Sequence, residues 1–183
     1  MADGGLSFWV AAVRECFEEA GVLLALGPLD GERLRRHRIE LNLGHRTLAE
    51  ICAAERVRLD LGSLHYFAHW LTPLPSPRRY NTRFFVARMP ADQRPLHDDG
   101  EAVDGMWVRP ADALSRWTGE YELIRPTREC LRALTRFTSA ADVLAATAAM
   151  ERVPHVQPRM GPDGDGVRVL LPGDAAWETA TRG

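Results

Sequence analysis

The chain contains no lysine: every one of its 23 basic residues is an arginine, set against 25 acidic residues for a formal charge of −2. Without lysine there is no Schiff-base chemistry and no Walker-type lysine on a nucleotide's phosphates. An excess of charge of either sign is missing too. A near-neutral surface exerts no broad pull on nucleic acid or on an anionic membrane, so any polyanion must be held by a local site. Arginine suits such a site, because its planar fork makes paired hydrogen bonds to phosphate. Cysteine is scarce: Cys16, Cys52 and Cys130 are widely spaced, odd in number and form no Cys-x-x-Cys pair. That argues against a disulfide framework or a structural zinc site and for a reducing compartment. No apolar run reaches the roughly 18 residues of a membrane span. No signal-like segment opens the chain, and its final Thr-Arg-Gly is not a peroxisomal address. The expectation is a soluble cytoplasmic protein with neither a nucleic-acid nor a membrane partner.

With 183 residues, 45% of them hydrophobic, the chain has material for one well-buried core. The composition shifts past Met150, so the expected organisation is a domain over 1–150 and a hairpin extension over 151–183. The most informative stretch is Arg14-Glu15-Cys16-Phe17-Glu18-Glu19-Ala20-Gly21-Val22. On a helix, Glu15, Glu18 and Glu19 fall within an arc of roughly 100°, so three carboxylates point the same way. Like charges at this spacing cost a few tenths of a kcal/mol per pair, which a hard divalent cation such as Mg²⁺ relieves by taking oxygen ligands. Arg14 lies four residues before Glu18, where it can pair with one carboxylate and hold its rotamer. A solvated acidic helix laced with ion pairs is the alternative.

Arg-Glu-U-x-Glu-Glu-x-Gly-U, with U bulky and apolar, resembles the second half of the Nudix box, with Cys16 and Val22 in the U places. Further along, Trp70-Leu71-Thr72-Pro73, Pro77-Arg78-Arg79-Tyr80-Asn81-Thr82-Arg83-Phe84-Phe85, and Glu101 ahead of Trp107 are similar to one branch of Nudix hydrolases, that of the mammalian peroxisomal coenzyme A diphosphatase. The resemblance spans most of residues 8–138. It departs from the pattern upstream, where the box's glutamate position holds Leu6 and its glycine position falls before Met1. The expectation is therefore a chain truncated at its amino terminus, without the first strand or strands and the glycine loop.

The resemblance implies an α/β fold, a Nudix-like α/β/α sandwich with a mixed sheet, a helical insertion and a C-terminal hairpin. It also implies metal-dependent hydrolysis of a diphosphate linkage in a nucleoside diphosphate conjugate, coenzyme A or acyl-coenzyme A foremost. Glu15, Glu18 and Glu19 would then hold Mg²⁺ or Mn²⁺, with Glu15 a joint candidate for ligand and general base and Arg14 beside it. A fourth acid from a facing loop is assigned to Glu101, with Asp98 and Asp99 close behind; a solvated acidic loop is an equal alternative. Arg83, then Arg79 and Arg78, are expected to contact substrate, forks and aromatics being suited to phosphate and base; an exposed hairpin with ordinary ion pairs is the alternative. Two other readings of the whole chain are an impaired nucleotide- or metal-binding remnant, and an assembly partner, such as a homodimer, pairing through a sheet edge.

Local patterns predict the elements. Helices are expected over 8–20 with Ser7 as cap and Gly21 as stop, over 29–43 with Leu34, Ile39, Leu41 and Leu43 as its apolar side, and over 47–55 capped by Thr47. On the second of these, Arg33, Arg35, Arg36 and Arg38 are read as a solvated face. Strands are expected over 64–71, 82–89 and 101–108. His65 and His69, in a strand, sit roughly 13 Å apart and cannot share an ion, so core or ligand-edge roles are favoured. Helices follow over 110–117, 126–137 and 139–149, then a hairpin with arms at 153–160 and 167–171. Asp163-Gly164-Asp165-Gly166 is read as its turn rather than a calcium loop.

Overall fold

Helix α1 (Gly5–Ala20) opens the computed structural model, which describes residues 5–74, 76–97, 104–116, 123–163 and 166–180, side chains at 163, 166 and 167 excepted. Val13 and Phe17, four apart and so on one face, are fully buried, while Glu15 and Glu19 are exposed. Gly21 ends the helix at φ +68°, the left-handed conformation for which glycine carries no Cβ penalty. The helix begins earlier than expected, at Gly5, so Ser7 lies inside its first turn and does not cap it.

The chain divides into two units, Met1–His65 with Ala87–Arg109, and Tyr66–Val86 with Pro110–Gly183. In the first, α1 is followed by β1 (Ala25–Leu26), α2 (Gly31–Asn42), α3 (Leu48–Glu55) and β2 (Arg58–Leu59), which pairs antiparallel with β1. Asp30 caps α2 by accepting from the Arg33 backbone N–H at 2.8 Å. Thr47 and Glu50 form a reciprocal capping box on α3, as Thr47 led one to expect. The buried face of α2 departs from the expected one. Leu34 and Leu41 are buried, but Ile39 and Leu43 are exposed, and His37 and Arg38 take their place in the interior. Arg38 is thus no part of a solvated arginine face.

Strand β3 (Leu64–Leu71) has the bounds read from the sequence and leads into the second unit, where it lies between β4 (Asn81–Ala87) and β5 (His155–Val156). β5 runs parallel to β3, pairing His155 with His69, and Thr72 and Tyr80 bond across the connection to β4. Phe67, Ala68, Trp70 and Cys130 form a buried cluster against which Phe84, Val86, Ala133 and Leu134 pack. Cys130 comes from α5 (Arg125–Leu134), which follows α4 (Pro110–Arg116); α6 (Ala140–Ala148) starts at the Ser139 cap, as expected. Residues 104–108, the described part of the strand expected over 101–108, form no strand, and Trp107 is largely exposed. The hairpin exists, but its arms are β6 (Arg159–Asp163) and β7 (Gly166–Leu170), paired from Arg159↔Leu170 to Asp163↔Gly166. Its first arm therefore starts six residues later than the pattern indicated and takes in Gly161 and Pro162. Gly161 is required there, since a Cβ would come within 2.4 Å of the buried Leu170 side chain.

Candidate active site

A helix leaves its last carbonyls without intrahelical partners, and at the end of α1 each of the last five carbonyls finds a donor. The Val22 and Gly21 N–H groups turn back to the Cys16 and Phe17 carbonyls at 3.4 and 3.0 Å. Arg38 donates from Nε to the Glu18 carbonyl at 2.8 Å and from Nη2 to the Glu19 carbonyl at 2.6 Å. Asn42 Nδ2 also donates to Glu18 O, and the Leu96 N–H donates to Ala20 O at 2.9 Å. A buried guanidinium against the negative end of a helix is favourable in charge as well as in hydrogen bonding. The backbone that carries Glu18 and Glu19 is therefore gripped from α2, and Arg38 extends the grip to the His97 carbonyl at 3.2 Å.

The loop at 90–97 is fixed by the same logic. Gln93 accepts from the Leu23 N–H at 2.9 Å and donates to the Leu23 carbonyl at 2.8 Å, so its side-chain amide pairs with one residue's backbone as a neighbouring strand would. The acidic run expected to supply a fourth acid begins directly after His97; Asp98, Asp99 and Glu101 lie outside the described residues.

On the exposed side of α1, Arg14 bridges two carboxylates: Nη1 donates to Glu18 at 2.7 Å, and Nη2 donates to Glu15. The sequence led one to expect a single partner; the guanidinium spans both. Glu18 is the more sheltered, at 19% side-chain exposure against 49% for Glu15, so its pair is the less screened by water. Glu19 stands close enough to Cys16 that its charge adds to the effect of burial, the larger cause, in raising the thiol's pKa. Among the described residues, no group of three His, Cys, Asp or Glu side chains closes around a common point. The donor set is nevertheless all carboxylate oxygen, which is the chemistry hard divalent cations take.

The expected substrate arginines belong to the second unit. Arg79 Nε donates to the Thr72 carbonyl at 3.1 Å, Arg83 Nη1 donates to Asn81 Oδ1 at 3.3 Å, and Arg78 is exposed. Arg83 also hydrogen-bonds Tyr66, partly offsetting the burial that raises the phenol's pKa, and Tyr66 stacks on Phe85 with ring centroids 5.3 Å apart. His69 bonds Asn81 through Nε2 and faces His155 at 4.4 Å between ring centroids, a placement in keeping with an edge role. Burial is the main reason its pKa is lowered, with the charges of Arg83 and His155 adding to it.

Two contributors escaped the sequence reading. Arg38 carried a usable signal, because Leu34, Arg38 and Leu41 recur at helical spacing and so share the buried face. Gln93 carried none.

The family model for the NUDT19 Nudix domain matches residues 2–129. The chain is 30% identical over 194 residues to human (Homo sapiens) acyl-coenzyme A diphosphatase NUDT19, covering 94% of this chain and 51% of that protein. It is 25% identical over 196 residues to the Xenopus laevis protein of the same name, with 95% and 52% covered, and 28% identical over 203 residues to that of Gallus gallus, with 95% and 53% covered. The chain thus spans about half the length of the curated relatives it matches. Among solved structures, it resembles the crystal structure of a NUDIX hydrolase from Alicyclobacillus acidocaldarius with a TM-score of 0.69 and 27% identity, covering 79% of this chain and 68% of that one.

Proposed function

Because the chain belongs to the NUDT19 Nudix domain family, an α/β fold with a mixed sheet, we propose that it hydrolyses the diphosphate linkage of coenzyme A or an acyl-coenzyme A. The reading takes residues 1–150 as the hydrolase domain and 151–183 as its extension. The observation that carries it is the last turn of α1, where Arg14 holds Glu15 and Glu18 together while Arg38 fixes the backbone beneath Glu18 and Glu19. Relatives named as acyl-coenzyme A diphosphatases support the substrate class.

Glu15, Glu18 and Glu19 would hold a divalent cation, Mg²⁺ or Mn²⁺, with Glu101 as the fourth acid. Such an ion neutralises diphosphate charge and acidifies a bound water. The chain's own groups do the rest. Arg14 restrains the rotamers of two carboxylates in advance, so that little ordering entropy is lost when ligand arrives. Glu15, the more exposed of that pair, would be ligand or the group that accepts a proton from an attacking water. Arg83, fixed by its strand and by Tyr66 and Asn81, is the first choice for a substrate phosphate, with Arg79 and Arg78 beside it in sequence.

A second reading is a nucleotide- or metal-binding module without turnover. Incubation with coenzyme A and Mg²⁺ separates the two. The hydrolase reading expects two phosphate-bearing products, and a fall in turnover of about 10²- to 10⁴-fold in Glu18→Gln with unchanged thermal stability. Saturable Mn²⁺ uptake with no product from coenzyme A, acyl-coenzyme A, nucleotide sugars or dinucleoside polyphosphates would establish the binding module.

A further inference from the structure

Within the first unit, a cavity of about 430 Å³ opens at the end of α1, in the size range of small-molecule sites. Gly21, Leu29, Leu34, Pro95 and Leu96 give it an apolar wall, and among the described residues Arg35, Arg38 and Arg94 bring three guanidinium groups against one carboxylate, that of Asp92. Arg38 spends its donors on the carbonyls of Glu18, Glu19 and His97, so its contribution to the cavity is mainly charge. Arg35 and Arg94 differ: both are exposed, and among the described residues neither has an ion-pair or side-chain hydrogen-bond partner.

The backbone that carries those two forks is fixed on both elements. Arg35 stands three residues before Arg38, on the same side of α2. Arg94 lies between Gln93, doubly bonded to Leu23, and Leu96, whose N–H is bonded to Ala20. Leu96 is itself 54% exposed, an apolar surface beside the cations. Free forks against an apolar wall suit a phosphate carried on a flat, weakly polar body, and a nucleotide is such a molecule.

We infer that this cavity binds a nucleotide phosphomonoester, the 3′-phosphate end of a coenzyme A-type substrate. The inference rests on the substrate class proposed above. Coenzyme A carries two separate phosphate sites, the diphosphate to be cleaved and a lone ribose phosphate. The first is assigned to the carboxylate face of α1, and the second requires cations of its own. The cavity offers them at the end of the same helix, sharing Arg38 with the backbone that supports Glu18 and Glu19. It selects substrate without taking part in bond cleavage.

The test compares wild type with the Arg35→Gln/Arg94→Gln double variant, two exposed positions whose replacement leaves the core intact. Calorimetry with adenosine 3′,5′-bisphosphate and with adenosine 5′-monophosphate, without metal, reads the cavity independently of hydrolysis. The wild type is expected to bind the bisphosphate at least tenfold more tightly than the monophosphate, and the double variant to lose that preference. In hydrolysis, kcat/KM for coenzyme A is expected to fall at least tenfold in the double variant while that for dephospho-coenzyme A stays within twofold. Equal wild-type affinity for the two nucleotides, or a preference that survives in the double variant, overturns the cavity assignment even where hydrolysis proceeds. Bisphosphate preference lost on mutation, with no hydrolysis of any substrate, upholds the cavity and sinks the proposed activity instead.

Discussion

In the first unit the side chains withdrawn from water include an arginine and a histidine, Arg38 and His37, whereas the cluster of Phe67, Ala68, Trp70 and Cys130 in the second has no charged member. Thr147 is buried in the second unit too, but it returns its hydroxyl to the Val143 and Leu144 carbonyls of its own helix. His37 reaches across to Glu55 of α3 at 2.7 Å while also meeting Glu40 of its own helix at 3.1 Å, and Arg38 reaches across to α1. Apolar burial is favourable and has no direction. A buried polar group is costly unless paired, and its pairing fixes distances and angles. The first unit thus spends stability on geometry at the end of the helix that carries Glu15, Glu18 and Glu19. The second contributes apolar burial to the fold.

The sharpest contrast comes from removing a core residue of each kind. Phe67→Ala is expected to lower the unfolding free energy by about 3–5 kcal/mol in urea titration, the usual cost of emptying an aromatic site. At temperatures where it stays folded, its Mn²⁺ affinity is expected to match wild type. Arg38→Met keeps apolar volume but strands the Glu19 carbonyl and leaves Glu18 O only the longer Asn42 bond, so about 2–3 kcal/mol of stability is expected to go. Here the Mn²⁺ affinity is expected to fall as well, about tenfold, and Arg38→Lys to recover part of it, since an ammonium reaches one carbonyl but not two in a fixed fork. A Met variant that loses stability while keeping its metal affinity would break the distinction between the units.

The sequence showed the elements wherever local chemistry decides them. The Gly21 stop, the Thr47 and Ser139 caps and the bounds of β3 depend on chemistry within a few residues, and all stand where they were read. It misled where tertiary context decides. Ile39 and Leu43 carry the right chemistry for burial but the wrong phase on α2, and Arg38 has the right phase but a chemistry that suggested solvent. The first hairpin arm was misplaced because Gly161 and Pro162 read as turn residues, when it is the space beside Leu170 that calls for Gly161. Of the candidate site, the carboxylate helix was legible and its Arg14 fork partly so. The hold on its backbone was not, since Gln93 and Arg38 act at separations of 70 and 19–20 residues.

The smallest expected effect concerns His69, in the second unit. Burial lowers its pKa below 6.5, so between pH 6.5 and the folded value the unfolded chain binds the extra proton and the folded one does not. Stability is then full above pH 6.5 and is lost as pH falls through that window. The carboxylates held low by hydrogen bonds, Asp30, Glu50 and Asp142, lose their contributions only further down, below their ordinary values of 3.8 to 4.5. The slope of a urea midpoint followed from pH 7 to pH 5 is expected to shrink in His69→Gln, whose amide can still meet Asn81. An unchanged slope would mean that the proton is taken up elsewhere, and that the second unit's core is as indifferent to charge at its edge as it is within.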